Sequence, residues 1–354
     1  MFKLQARAAP STAWSLGSPL LALGLTVAVG VLLLGALGKD PIAGLLMFFW
    51  EPINGLDAIS ELLIKATPLL LIALGLAVCF RSNVWNIGAE GQYVMGAIAG
   101  GGVALLANEQ TTSWIVVPIL LAGVLGGMVW AGLVAWLRDR FNANEILTSL
   151  MLVYVAIQLL FYLVYGPWKD PNGFNFPQTK TFEDPSMIPR LFEGSRVNIG
   201  LILALLGVGA VWLFLFRTYA GFAQVVGGMA PAAARFAGFS SRKALWIALL
   251  GSGGAAGLAG ALEVAGPIGQ LTPYVPVGYG FAAIIVAFVG RLHPVGMVFS
   301  ALLMSMFYIG GELAQSRLGL PKSITGVFQG LLLFALLACD TLIAYRVVRR
   351  KGGV

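Results

Sequence analysis

Between Phe80 and Tyr93 an otherwise apolar chain carries Phe-Arg-Ser-Asn-Val-Trp-Asn-Ile-Gly-Ala-Glu-Gly-Gln-Tyr. Arg81, Asn83, Asn86, Glu90 and Gln92 crowd together there, interleaved with Gly88 and Gly91. Polar and ionisable groups at membrane depth are expensive unless they face a water-filled path or a partner. Asn86 and Gln92 offer amide donors and acceptors, Glu90 a carboxylate, and Trp85 a stacking face for a planar or sugar-like solute. The run therefore predicts a solute pathway with Trp85, Asn86, Glu90 and Gln92 on its wall. The competing reading is an internal hydrogen-bond knot that joins broken helix ends, with Glu90 paired to Arg81 or to backbone amides.

Two further stretches carry chemistry. Asn142-Ala143-Asn144-Glu145-Ile146-Leu147-Thr148-Ser149 follows the basic turn Arg138-Asp139-Arg140. Asn142 or Asn144 can cap the incoming helix, and Glu145 in its first turn suits the helix dipole. A second role for Asn144 and Glu145 is a gate near the cytoplasmic end of the path. The third stretch runs from Gly227 to Phe239 and contains Gly228, Pro231, Ala233, Ala234, Arg235, Phe236 and Gly238. Pro231 suits a first helical turn and Gly238 a helix end. A short exposed helix results, displaying Arg235 and Phe236. A docking knob for a cytoplasmic partner explains the exposed Phe; packing onto lipid is the other reading.

Catalytic apparatus is missing. There is no G-x-x-x-x-G-K-[ST], no H-E-x-x-H and no G-x-S-x-G, so phosphate cradling, zinc hydrolysis and acyl transfer lack their residues. His293 is the only histidine, which argues against a His-based metal cluster. Cys79 and Cys339 both lie in apolar stretches and indicate no disulfide framework. The expectation is a non-enzyme that binds no cofactor or metal itself, with another subunit or an ion gradient supplying the energy for any active transport.

The elements that must position these residues are membrane helices. Of 354 residues 58% are hydrophobic and only 10% charged, with mean hydropathy +0.88, whereas soluble chains carry roughly 25% charged residues. About ten spans of ~20 residues fit, at 20–37, 67–80, 84–106, 115–137, 144–165, 198–216, 244–262, 279–292, 295–311 and 323–345. The net charge of +7 sits beside these spans. Lys3 and Arg7 precede the first, Arg217, Arg235, Arg242 and Lys243 share the loop 217–243, and Arg346, Arg349, Arg350 and Lys351 end the chain. That distribution is a positive-inside signature with both termini cytoplasmic, and it excludes a nucleic-acid groove. The first span reads as uncleaved, because the apolar run is long and no A-x-A site follows it.

The organisation expected is a cytoplasmic segment 1–19, a transmembrane domain 20–345 and a basic cytoplasmic tail 346–354. Outer loops lie at 38–66, where 43–65 could form an interfacial helix, and at 166–197, rich in Pro, Gly and aromatics. The latter could meet a soluble partner. The pairs Gly96/Gly100, Gly123/Gly127 and Gly253/Gly257 let helix backbones approach closely. The spans 67–80 and 279–292 are too short to cross ~30 Å as straight helices. Interrupted spans of that kind point to two pseudo-related halves with broken helices around a midplane site.

Asn86-Ile87-Gly88-Ala89-Glu90-Gly91-Gln92, Asn144-Glu145-Ile146 with Met151-Leu152, and Pro231-x-Ala233-Ala234-Arg235-Phe236-Ala237-Gly238 together resemble permease subunits of bacterial ABC importers. The group is the ribose, simple-sugar and branched-chain amino-acid permease superfamily, and the nucleoside-type branch is the most similar. Phe281-Ala282-Ala283-Ile284 through Gly290, with Pro294-x-Gly296, also fits, and the resemblance spans about 60–340. It implies a core of two permeases (identical or homologous), cytoplasmic ATPase subunits that bind ATP, an extracytoplasmic substrate-binding lipoprotein, and 228–238 as the coupling helix. Trp85, Ala230 and Val153 stand where the family usually has Phe, Asn and Asn. The chain thus reads as an all-α inner-membrane importer permease for nucleosides or simple sugars. The alternative is an ion-coupled secondary transporter with Glu90 as proton carrier; an intramembrane enzyme has no nucleophile–base set.

Overall fold

Apolar sequence in a membrane must satisfy every backbone group internally, and helices do so within one segment. The computed structural model describes residues 2–7, 11–108, 110–192 and 194–349, and helix dominates them. In chain order the helices are α1 (Thr12–Ala36), α2 (Pro41–Phe49), α3 (Leu56–Arg81), α4 (Ala89–Ala104), α5 (Val116–Phe141) and α6 (Glu145–Tyr165). After a long irregular segment come α7 (Gly200–Arg217), α8 (Tyr219–Met229), α9 (Pro231–Phe236) and α10 (Ser241–Glu263). The last three are α11 (Tyr279–Val289), α12 (Pro294–Leu318) and α13 (Ser323–Ala344). Eight helices among the described residues are long and apolar enough to cross a membrane. The chain is an all-α, multi-pass integral membrane protein.

Two of the ten apolar segments are short, and only one of them is a segment expected to be so. The span 67–80 belongs to α3, an unbroken 26-residue helix. Its first turns carry Asp57, Glu61 and Lys65, which made 38–66 read as a loop. Asp57 sits in the first turn, where the dipole favours an acid. Glu61 is held by Arg196, Nη1 to Oε1 3.0 Å. The rest of 38–66 folds as α2, capped by Asp40 Oδ1 accepting from Ile42 N at 2.9 Å, and a 3₁₀ turn Glu51–Ile53. The expected span 84–106 starts only at Ala89, so α4 has 16 residues and covers ~24 Å at 1.5 Å per residue, short of ~30 Å. The helix α11, with 11 residues, is short as expected.

The chain divides into two units, residues 60–305 and residues 1–59 with 306–354. In the first, α4, α5 and α10 pack with almost no side chain between them. A Cβ on Gly96 would collide with the Gly257 backbone, and one on Gly257 with the Gly123 and Gly127 backbone. The small-residue pairs therefore do the close packing their spacing suggested. Here the 166–197 segment has little regular structure beyond a 3₁₀ turn at Asp184–Ser186. It is sewn to the π turn Val264–Ile268 after α10 and to the residues beyond it: Ile188 N donates to Ala265 O (2.8 Å), Phe182 N to Gly269 O (2.8 Å) and Thr179 N to Leu271 O (3.0 Å).

In the second unit α1 packs on α13, and Phe48 of α2 lies 4.5 Å from the Phe328 ring. Two strands that the sequence did not suggest, β1 (Phe2–Ala6) and β2 (Tyr345–Arg349), pair antiparallel with Phe2 opposite Arg349. Arg350 and Lys351 of the expected basic tail lie outside the described residues.

Candidate functional site

The helix α3 ends where the polar run begins. Asn83 takes the left-handed conformation (φ 53°), which Asn tolerates better than most residues, and the chain then runs without helical bonds to Ala89. The Ser82 hydroxyl sits 2.8 Å from Gln224 Oε1 on α8. Arg81 Nε donates to Leu292 O (2.9 Å), and its guanidinium lies 5.0 Å from the Phe216 ring centre. Arg81 therefore serves the turn after α11 and not Glu90.

Asn86 and Gln92 are buried and face each other. Asn86 Nδ2 donates to Gln92 Oε1 (2.9 Å), and Gln92 Nε2 donates back to Asn86 Oδ1 (3.0 Å). Asn86 Nδ2 also donates to Ser252 Oγ on α10 (3.0 Å), and Asn86 Oδ1 accepts from Gly88 N (3.1 Å). Both donors and both lone pairs of this amide are engaged. Ile87 N donates to Ser149 Oγ on α6 at 3.2 Å.

Glu90 is buried in the first turn of α4, yet its carboxylate belongs equally to α11. Oε1 accepts from Gly278 N (2.8 Å) and Oε2 from Gly280 N (2.5 Å). Gly278 has φ 88°, and a Cβ on Gly280 would collide with the Glu90 backbone. Two helix N-termini thus converge on one anion, which both positive dipole ends favour. Of the four wall candidates in this run, Asn86, Glu90 and Gln92 form the internal knot, and Trp85 alone is open, 39% exposed. Its ring packs with Phe80 (centroids 5.3 Å) and Phe288 (6.3 Å).

Asn142 (φ 52°) ends α5, and Asn144 starts α6 with Oδ1 accepting from Ile146 N at 2.9 Å. Glu145 is buried and ion-paired with Arg138 of α5, with Trp85 N 3.5 Å from its Oε1. Capping accounts for Asn144; Glu145 ties α5, α6 and the 82–88 break together.

The third stretch forms the short helix expected of it. Pro231 opens α9, Gly238 (φ 81°) follows its end, Ala233 and Arg235 are exposed, and Phe236 is 96% exposed. Ala234 is buried. At Gly228 near the end of α8 a Cβ would press on the Arg81–Asn83 backbone (2.6 Å to Arg81 O). Buried Gln224 bridges further, Nε2 donating to Ala244 O of α10 at 3.2 Å. Among the described residues no cluster of three or more His, Cys, Asp or Glu could hold a metal.

Sequence reasoning missed Ser82, Ser149, Ser252, Gln224 and Arg138 as partners of the break. Ser252 left a faint trace as a lone hydroxyl inside an apolar span, whereas Ser149 stands beside Thr148 near a helix start. Nothing local marks Gln224, 142 residues from Ser82.

A sequence model of the family described as branched-chain amino acid transport system, permease component, matches residues 58–337. The glucose ABC transporter permease protein of Haloferax volcanii is 34% identical over 347 residues, covering 95% of this chain and 90% of the relative. The guanosine ABC transporter permease protein of Bacillus subtilis is 28% identical over 319 residues (87% and 89%). The nucleoside ABC transporter permease protein of Lactococcus lactis is 25% identical over 328 residues (89% and 89%). In each of these organisms a second permease protein also matches the chain. No solved structure matches it.

Proposed function

The chain belongs to the branched-chain amino acid transport system permease family, and from that premise we propose that it passes nucleosides or simple sugars across the inner membrane. It is the permease subunit of an ABC importer, working with the other subunits of that transporter. Its partners are an ATPase docked on α9, a second permease subunit related to it, and an extracytoplasmic lipoprotein that delivers solute. ATP is bound by the ATPase, and this chain binds no cofactor. Both termini and the 217–243 segment lie on the cytoplasmic side, with 166–197 outside. Pairing of β1 with β2 supports the two ends sharing a side.

One observation carries the reading. The helix that displays Phe236 is joined through Gly228 and the Gln224–Ser82 contact to the break between α3 and α4. Movement of α9 by the ATPase thereby reaches Asn86, Glu90 and Gln92, which fix the ends of α4 and α11. Trp85, Asn144 and Glu145 stand at the cytoplasmic end of the path, where the open Trp85 ring offers a weak stacking face. The solute class rests on the names of the relatives and on that ring.

The test is uptake into vesicles reconstituted with the chain, its ATPase, second permease and lipoprotein, using labelled guanosine and glucose. ATP-dependent accumulation of one of them is expected. Uptake by this chain alone, abolished by an uncoupler and indifferent to ATP, would replace the reading with an ion-coupled transporter.

A further inference from the structure

The face that α6 turns away from its own unit carries Tyr154 and Gln158, polar groups at the wrong depth for lipid, among the apolar Leu147, Met151 and Val155. Ser149, Val153, Ala156, Leu160 and Val164 form the buried stripe. Met151, Tyr154, Gln158, Tyr162 and Tyr165 are exposed on the other side, and at 3.6 residues per turn they fall in one sector about 80° wide. With ~1.5 Å rise per residue, Tyr154 and Gln158 stand ~14 and ~20 Å from Glu145 on a helix ~31 Å long.

An aromatic belt at the membrane surface accounts for Tyr165 at the helix end. It does not account for Tyr154 and Gln158 near the middle. The Gln158 amide makes no hydrogen bond with the described residues, and hydrocarbon offers it none. Away from their cytoplasmic ends, the exposed residues Val117, Leu121, Leu125 and Val129 of α5 and Leu205 and Leu206 of α7 are hydrocarbon, as lipid contact requires.

We propose that Tyr154, Gln158 and Tyr162 form the solute-contacting wall of the conduit, which a second permease subunit closes from the opposite side. This rests on the permease reading and adds to it a wall outside the 85–92 run. Gln158 lies one turn from each tyrosine. Its amide can donate and accept with solute hydroxyls or ring nitrogens while the two rings offer flat apolar faces. The ligand class that suits such a ladder is a ring-bearing, hydroxyl-rich solute.

Cysteine reactivity in the complete reconstituted transporter tests this, in a Cys79→Ala/Cys339→Ala background. The probes are Gln158→Cys and Tyr154→Cys, with Leu206→Cys on α7 as the lipid-facing reference. Thiolate, the reactive form, needs water. A charged, water-soluble methanethiosulfonate should therefore modify the Gln158→Cys and Tyr154→Cys variants at least about tenfold faster than the reference. Excess of whichever solute is transported, guanosine or glucose, should slow that reaction. Modification only by a lipid-soluble maleimide would place the stripe in lipid, and resistance to both reagents would place it in a dry subunit contact. Either result overturns the wall. ATP-driven uptake without aqueous labelling defeats this inference alone, whereas aqueous labelling with no ATP-driven uptake defeats the permease reading and leaves the wet stripe standing.

Discussion

Glu90 accepts two backbone amides from residues 188 and 190 positions further along the chain. Glutamine there keeps one acceptor but sets an NH₂ against a backbone N–H. Losing a charge-assisted bond and opposing two donors should cost about 2–3 kcal/mol. For Glu90→Gln we expect a lower melting midpoint in detergent and loss of uptake; near-normal uptake with an unchanged midpoint would show that the carboxylate does not organise the two helix ends. Asn86→Ala removes four hydrogen bonds at once and strands the Gln92 amide, a loss of about 2–4 kcal/mol. The yield of monodisperse protein should fall, and a wild-type yield would contradict the knot. The polar run itself was legible, because so many amides and charges are anomalous in apolar sequence. Whether those groups address a solute or each other was not, since Ser252 and Gly278 enter the site from distant segments.

At the scale of elements, α8 and α9 make separable predictions. Phe236 has almost no contact with its own chain, so Phe236→Asp should leave insertion and yield unchanged. It should abolish stimulation of the ATPase and its co-purification; normal transport by that variant would refute docking on α9. Gly228→Val forces a side chain into the Arg81–Asn83 backbone. The ATPase should still co-purify while uptake drops, and unchanged uptake would remove α8 from the route. The short helix α9 was readable from Pro231 and Gly238, which mark its ends locally. The start of α3 was not, because Asp57, Glu61 and Lys65 look like loop residues until Arg196 is brought beside Glu61. The break before α4 was misplaced for a related reason: hydropathy continues across 84–106, and only the bonds of Asn86 and Ile87 to α10 and α6 divert the backbone there.

For the whole molecule, the permease reading expects this chain alone to be inactive and the complete set of subunits to accumulate solute only with ATP. Measurement of guanosine and glucose uptake side by side checks both statements. Composition and hydropathy by themselves determined a multi-pass helical membrane protein, because apolar length is a property of the sequence alone. Motif spacing determined the family and the exposed α9. Tertiary structure decided which polar groups are closed in on themselves, which helices are broken, and that α6 turns Tyr154 and Gln158 outward. Those outcomes depend on pairings across as many as 211 residues, and a helix's orientation about its own axis is set by what packs against it, which no local run of residues encodes.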